Sequence, residues 1–122
     1  MTRIAGSIVL SLIFAACATE LKPDWFQTIR ESEILLFQVV DLMYDLRLNP
    51  EGEYKTKAKD IYTKMQDLNL VYKKYVDTLS KEELAQFRTE YYAMEKRLNE
   101  YQVFKGFDAK IDIFKVIAKL AE

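Results

Sequence analysis

From Trp25 onward, apolar residues recur at spacings that alternate between four and three: Trp25, Ile29, Leu36, Val39, Met43 and Leu46, with Ser32 completing the series. This spacing keeps a single stripe of a helix facing a neighbour. It predicts a first helix over about Pro23 to Leu48. The pattern restarts after Asn49-Pro50, with Tyr54, Ala58, Ile61, Met65, Leu68, Tyr72, Tyr75 and Leu79, and predicts a second helix over about Pro50 to Asp77. A third stripe, Leu84, Phe87, Tyr91, Met94, Leu98 and Tyr101, predicts a helix over about Lys81 to Lys105. A shorter apolar run ends near Leu120.

The residues between the stripes fit helix ends. Asn49-Pro50 can cap and start the second helix, because proline has no N–H to leave unpaired in a first turn. Ser80-Lys-Glu-Glu83 has the form of a capping box, flanked by Leu79 and Leu84 at the positions of a hydrophobic staple. Gly106 is placed to end the third helix in the left-handed conformation, and Asp108 can cap the fourth. The expected fold is all-α: an antiparallel bundle of three long helices and a short C-terminal fourth, occupying residues 24–122.

Two of these helices are more apolar than one stripe requires. In Glu33-Ile-Leu-Leu-Phe-Gln-Val-Val-Asp-Leu-Met-Tyr-Asp-Leu46, apolar residues cover most of the circumference, as in helices buried centrally. The fourth, Ile111 to Leu120, keeps only Asp112, Lys115 and Lys119 as a polar stripe. The two are expected to pack on each other, with Ile113, Val116 and Leu120 covering Ile34, Leu35 and Leu42. The alternative is that part of this surface is left for a partner or for a second copy in a homo-oligomer.

Composition narrows the chemistry. The 122 residues contain no histidine and one cysteine, with a formal net charge of -1. Without histidine there is no Ser-His or Cys-His pair, no zinc site of the His/Cys kind, and no imidazole base. No cofactor or metal is implied, and no enzyme activity is expected. A near-neutral chain lacks the basic footprint of a nucleic-acid binder; Lys55, Lys57 and Lys59 read as a solvated helix face beside Glu53 and Asp60. The acidic first helix and lysine-rich second helix should attract one another modestly, at less than about 1 kcal/mol per exposed pair.

Met43, Met65 and Met94 lie in the stripes among Leu, Ile and Tyr, and read as core filling, not a copper site. Eight tyrosines are more unusual. Tyr54, Tyr72, Tyr75, Tyr91 and Tyr101 fall in the stripes, so their hydroxyls need partners at the bundle rim. Tyr44, Tyr62 and Tyr92 fall outside them and are candidates for a partner-contact surface.

The N-terminus has a different pattern. Arg3 precedes an uncharged apolar run, Ile4 to Ala16, which gives way to small residues before Glu20 and Lys22. This is the layout of a secretory signal peptide, and the run is shorter than the roughly 20 apolar residues of a membrane span. Phe14-Ala15-Ala16-Cys17 resembles the lipobox of bacterial lipoprotein precursors, with Phe14 where an aliphatic residue is usual. The resemblance covers residues 1–17 alone. It implies cleavage before Cys17, a diacylglycerol on the Cys17 thiol and an acylated amino group, with residues 1–16 removed and 17–23 forming a short tether. Ala18 after the cysteine resembles lipoproteins exported to an outer membrane. The competing reading takes Ala16-Cys17-Ala18 as an ordinary small-x-small cleavage site, leaving a soluble chain from Thr19.

The expected function is therefore a small lipid-anchored protein of the bacterial cell envelope. It would act without catalysis as a binding, scaffold or accessory module for an unknown protein partner. The end of the bundle far from the tether lies roughly 37 Å away along a helix of about 25 residues. It would carry Asn49, Glu51 and Phe107 as contact candidates, with Phe107 the expected anchor. The alternative is a soluble periplasmic carrier with a tyrosine-lined interior for an apolar or aromatic ligand, which requires a cavity of a few hundred cubic ångströms, as in typical ligand sites.

Overall fold

The computed structural model describes residues 22–122. Within them lie four helices: α1 Asp24–Leu48, α2 Lys55–Thr78, α3 Lys81–Phe104 and α4 Ile113–Leu120. The fold is the all-α antiparallel bundle of three long helices and one short one. Helix α1 is its centre and touches each of the other three. Its stripe from Trp25 to Met43 is buried, and Leu35, Val40 and Leu42 are buried as well. Burying each such side chain contributes about 1.5–3 kcal/mol. The stripes of α2 and α3 also face inward, led by Ala58, Ile61, Met65, Phe87, Met94 and Leu98.

Near the Ser80 turn, α2 and α3 meet through aromatic side chains. Phe87 lies 5.5 Å from Tyr72 and edge-on to Trp25 at 5.7 Å, while Tyr91 stands edge-on to Tyr72 at 5.5 Å. The turn is capped as its sequence implies, with Ser80 Oγ accepting the Glu83 N–H at 3.2 Å.

Three local expectations are corrected. First, α2 begins at Lys55, not at Pro50. Asn49 to Gly52 form a tight turn in which the Gly52 N–H donates to the Asn49 carbonyl at 3.1 Å. The Tyr54 ring folds back over this turn, and its hydroxyl lies 3.0 Å from the Asp45 carbonyl and 2.9 Å from that of Asn49. A Cβ on Gly52 would lie 2.6 Å from the Tyr54 hydroxyl, so a larger residue there requires the tyrosine ring to move. The Tyr54 hydroxyl thus adds a second contact to two carbonyls that the Asn49 and Gly52 N–H groups already bond, and the chain turns into α2 only after it.

Second, α4 is capped by Asp112, not by Asp108. The Asp112 carboxylate accepts the N–H groups of Phe114 and Lys115 at 3.1 and 3.3 Å. Asp108 instead accepts the Lys110 N–H at 2.8 Å, holding the return loop in a turn of its own. Third, α4 packs more on α2 than on α1. Ile113 and Ile117 are its buried residues, and Ile34 is left 56% exposed. Ile34 lies on the far side of α1 from the stripe, where an eight-residue helix docked beside α2 does not reach.

The chain reverses after α3 through a Schellman motif. Gly106 has φ +88°, its N–H donates to the Val103 carbonyl at 2.9 Å, and the Phe107 N–H donates to that of Gln102 at 2.8 Å. The Gln102 side chain, 1% exposed, donates to the carbonyls of Asp108 and Ile111 at 3.2 and 3.4 Å. One buried amide therefore fastens the loop that carries α4.

Gly106→Ala is expected to lower stability by about 1–2 kcal/mol in urea unfolding, since the left-handed conformation disfavours a Cβ. Gln102→Leu is expected to cost about 1–3 kcal/mol, because two loop carbonyls lose their buried donor. Amide exchange should speed up at Lys110 and Ile111 and stay slow at Val39.

Candidate functional site

The far end of the bundle is built by cations lying over aromatic rings. The Arg47 guanidinium sits 3.9 Å above the Phe107 ring and donates to the Gly106 carbonyl at 3.3 and 3.4 Å. Lys105 Nζ lies 4.5 Å over Tyr44 and 3.7 Å from the Asp41 carboxylate. Tyr101 donates its hydroxyl to Asp41. These contacts tie the end of α1 to the end of α3, each such cation–ring pair contributing about 0.5–1 kcal/mol at an exposed site.

The sequence candidates are distributed unevenly over this geometry. Phe107 is half-buried, packed on the core and covered by Arg47, so it does not stand out as an anchor. Tyr44 is half-buried under Lys105, and Tyr62 packs against the core. Asn49 and Glu51 are exposed on the turn. Tyr92 is 63% exposed and edge-on to Tyr91. Cys17 lies outside the described residues.

An exposed aromatic that the spacing did not single out stands beside this end. Phe104, 80% exposed, stacks at 6.3 Å on Tyr101, which stacks on Phe37 at 4.4 Å with the rings 5° from parallel. The α3 stripe ends at Tyr101, and its next position would be Lys105. Phe104 therefore falls off the stripe, as does the exposed Val103. Apolar residues outside a stripe were the available signal for both, as for Ile34.

This ladder borders an open face of α1. On one side of Ile34, a groove of about 640 Å³ runs between α1 and α3, with Phe26, Phe37 and Glu33 on its walls. On the other, a groove of about 420 Å³ runs between α1 and α2, lined by Leu35, Leu68 and Asp67. By contrast, the space between Tyr72, Tyr91 and Met94 in the interior is about 10 Å³. That is barely the room of one water molecule, far below what the carrier reading requires. Among the described residues, no group of three or more Asp, Glu, His or Cys is placed to hold a metal.

Two electrostatic features shape the open face. Arg97 forks onto Glu33, with both N–H···O distances 2.8 Å. This hydrogen bonding, followed by the charge of Arg97 and Arg30 and against the effect of burial, holds the Glu33 carboxyl below its ordinary value of 4.5. The hydrogen bond to Asp41, and then burial, push the Tyr101 hydroxyl up to about 12. Among the described residues, the ion pairs between helices join α1 to α3, while Lys64 of α2 pairs with Asp60 of its own helix. The attraction expected between α1 and α2 is therefore not realised as direct pairs. Glu33 and Asp41 point to the α3 side, and the α2 lysines point to solvent.

Glu33→Gln is expected to cost about 0.5–1 kcal/mol at pH 7, given that Arg97 is half in solvent. A depressed carboxyl contributes stability above its unfolded pKa, and that contribution fades as pH falls through the lower folded value. The difference between Glu33→Gln and the unchanged chain should therefore close below pH 4.5. Urea titrations at several pH values would show this, and a constant difference down to pH 2 would refute it.

Compared with known protein families, with curated protein sequences and with solved structures, the chain matches none.

Proposed function

We propose that this chain is a lipid-anchored module of the bacterial cell envelope that binds another protein and catalyses nothing. The observation that carries this reading is Phe14-Ala15-Ala16-Cys17 at the end of an uncharged apolar run. A lone cysteine in that position suits a thiol that receives a diacylglycerol. Cleavage there would leave Cys17 as the first residue, with the lipid anchoring the chain to a membrane, and Ala18 favours an outer membrane.

The folded body is consistent with that role. Among the described residues, no helix is long and apolar enough to cross a membrane. One acyl chain binds reversibly, while two or three hold stably, at about 0.8 kcal/mol per buried methylene. Helix α1 begins at Asp24, so the tether from Cys17 reaches at most about 25 Å when extended. The space beside Tyr72 and Tyr91 is small, which favours recognition at the outer surface.

Expression in a bacterium fed labelled palmitate should yield a labelled chain whose first residue is Cys17. Cys17→Ser should lose the label and leave the membrane fraction. A mature chain beginning at Thr19, or membrane partition unaffected by Cys17→Ser, would overturn the anchored reading.

A further inference from the structure

The central helix of this bundle has neighbours on three sides, and its fourth is covered only along the border with α3, where Phe37 and Asp41 meet Tyr101. Along α1, Phe26, Arg30, Ile34, Phe37, Asp41 and Asp45 share one face about 100° wide, at 100° per residue. On it Ile34 is 56% exposed, although it is as apolar as the residues buried on the opposite side. A groove lies to either side of it, of about 640 and 420 Å³. From Phe26 to Phe37 the face runs about 16 Å, or three turns of helix. In shape this is a vacant position in a helix bundle.

The charge around the face identifies the occupant. Arg97 is engaged by Glu33 and Lys64 by Asp60, leaving Arg30 against Glu31, Asp67 and Glu90 on the walls. The ridge is apolar and its borders carry an excess of negative charge. We propose that this face is the docking groove for a basic amphipathic helix of a partner protein. Leucine-type side chains of that helix would pack beside Ile34 and Phe37, and its lysines or arginines would meet Glu31, Asp67 and Glu90. This rests on reading the chain as a binding module and supplies the chemical class of its partner.

Charge also separates this occupant from the others. A second copy would bring the same acidic borders together, and like charges face to face disfavour self-pairing. A lipid surface attracts cations, and this face offers few. The helix-in-groove mode needs an apolar ridge with charge on its flanks, which is what α1 presents.

The test uses the full chain in neutral detergent, with Ile34 replaced by the photoreactive residue benzoylphenylalanine. The probe is an 18-residue peptide with leucine at helical i, i+3, i+4 and i+7 positions and lysine elsewhere. A peptide of the same leucine pattern with glutamate for lysine is the control. Irradiation should attach the lysine peptide at position 34 at least about tenfold more than the glutamate peptide. The same residue at position 57, on the exposed lysine face of α2, should give neither adduct. Glu31→Lys with Glu90→Lys should reduce the lysine adduct by about the same factor. Equal labelling by both peptides, equal labelling at 34 and 57, or a chain-to-chain adduct at 34 would overturn the proposal, the last in favour of a second copy. Because the readout does not involve Cys17, failure here leaves the anchored reading standing, and failure of Cys17 lipidation leaves the groove standing.

Discussion

Val39 and Val40 lie about 100° apart around α1, and both are fully buried. So are Leu35 and Leu36, nearly as completely. One neighbouring helix covers a stripe, not two adjacent sides, so α1 can bury these residues only with neighbours on several sides. This constraint shapes the rest of the molecule. It places α2 and α3 on either flank of α1, and it draws α4 back over the bundle to close a third side. The loop to α4 is held by Gln102 and by Gly106 in its left-handed turn, and both matter because α4 has only eight residues with which to dock. Its two buried isoleucines supply apolar area, but the loop decides where they land.

The polar contacts follow from the same arrangement. A helix covered on three sides has few positions where a charge can reach solvent. The carboxylates of α1 emerge along its border with α3, and there Glu33 takes Arg97 while Asp41 takes Tyr101 and Lys105. Tyr72, burial of which pushes its hydroxyl up to about 12, reaches inward to Ser32 at 2.7 Å. Ser32 is the one polar residue in the α1 stripe, and the tyrosine hydroxyl gives it a partner. Trp25 is the exception, since its indole N–H is buried and has no partner among the described residues. Its ring packs edge-on to Phe87, and that contact favours burial despite the unpaired donor.

Much of this was legible in the residue spacing because a stripe of apolar positions is a direct record of which side a helix buries. The α1, α2 and α3 stripes all point inward, and Ser80 and Gly106 mark their ends because each satisfies backbone groups locally. What the spacing did not reveal depends on side-chain contacts across turns and between helices. Tyr54 delays α2 because its hydroxyl finds the end of α1, which no local propensity encodes. Asp108 and Asp112 are equally good caps by residue type, and the loop geometry imposed by Gln102 chooses between them. Phe107 looked like an exposed anchor until Arg47 covered it, whereas Phe104 lies outside the stripe and is exposed. Ile34 was apolar enough to be assigned to the core, but its angular position on α1 left no helix within reach.

The open face runs along α1, and α1 begins seven positions after Cys17. On the proposed anchoring, the groove therefore starts beside the tether and extends away from the bilayer. It is a lateral surface, with Phe104 near its far end, and not a tip. A helix lying in such a groove is held within a few tens of ångströms of the membrane. A partner that is itself attached to the same membrane reaches that position without the loss of freedom that a free protein incurs. Confinement to one membrane surface raises the concentration of each protein around the other. At that concentration a three-turn helix with modest intrinsic affinity would stay bound. The small size of the grooves on either side of Ile34 is then sufficient for a partner in the same membrane, though it would be weak for one arriving from solution.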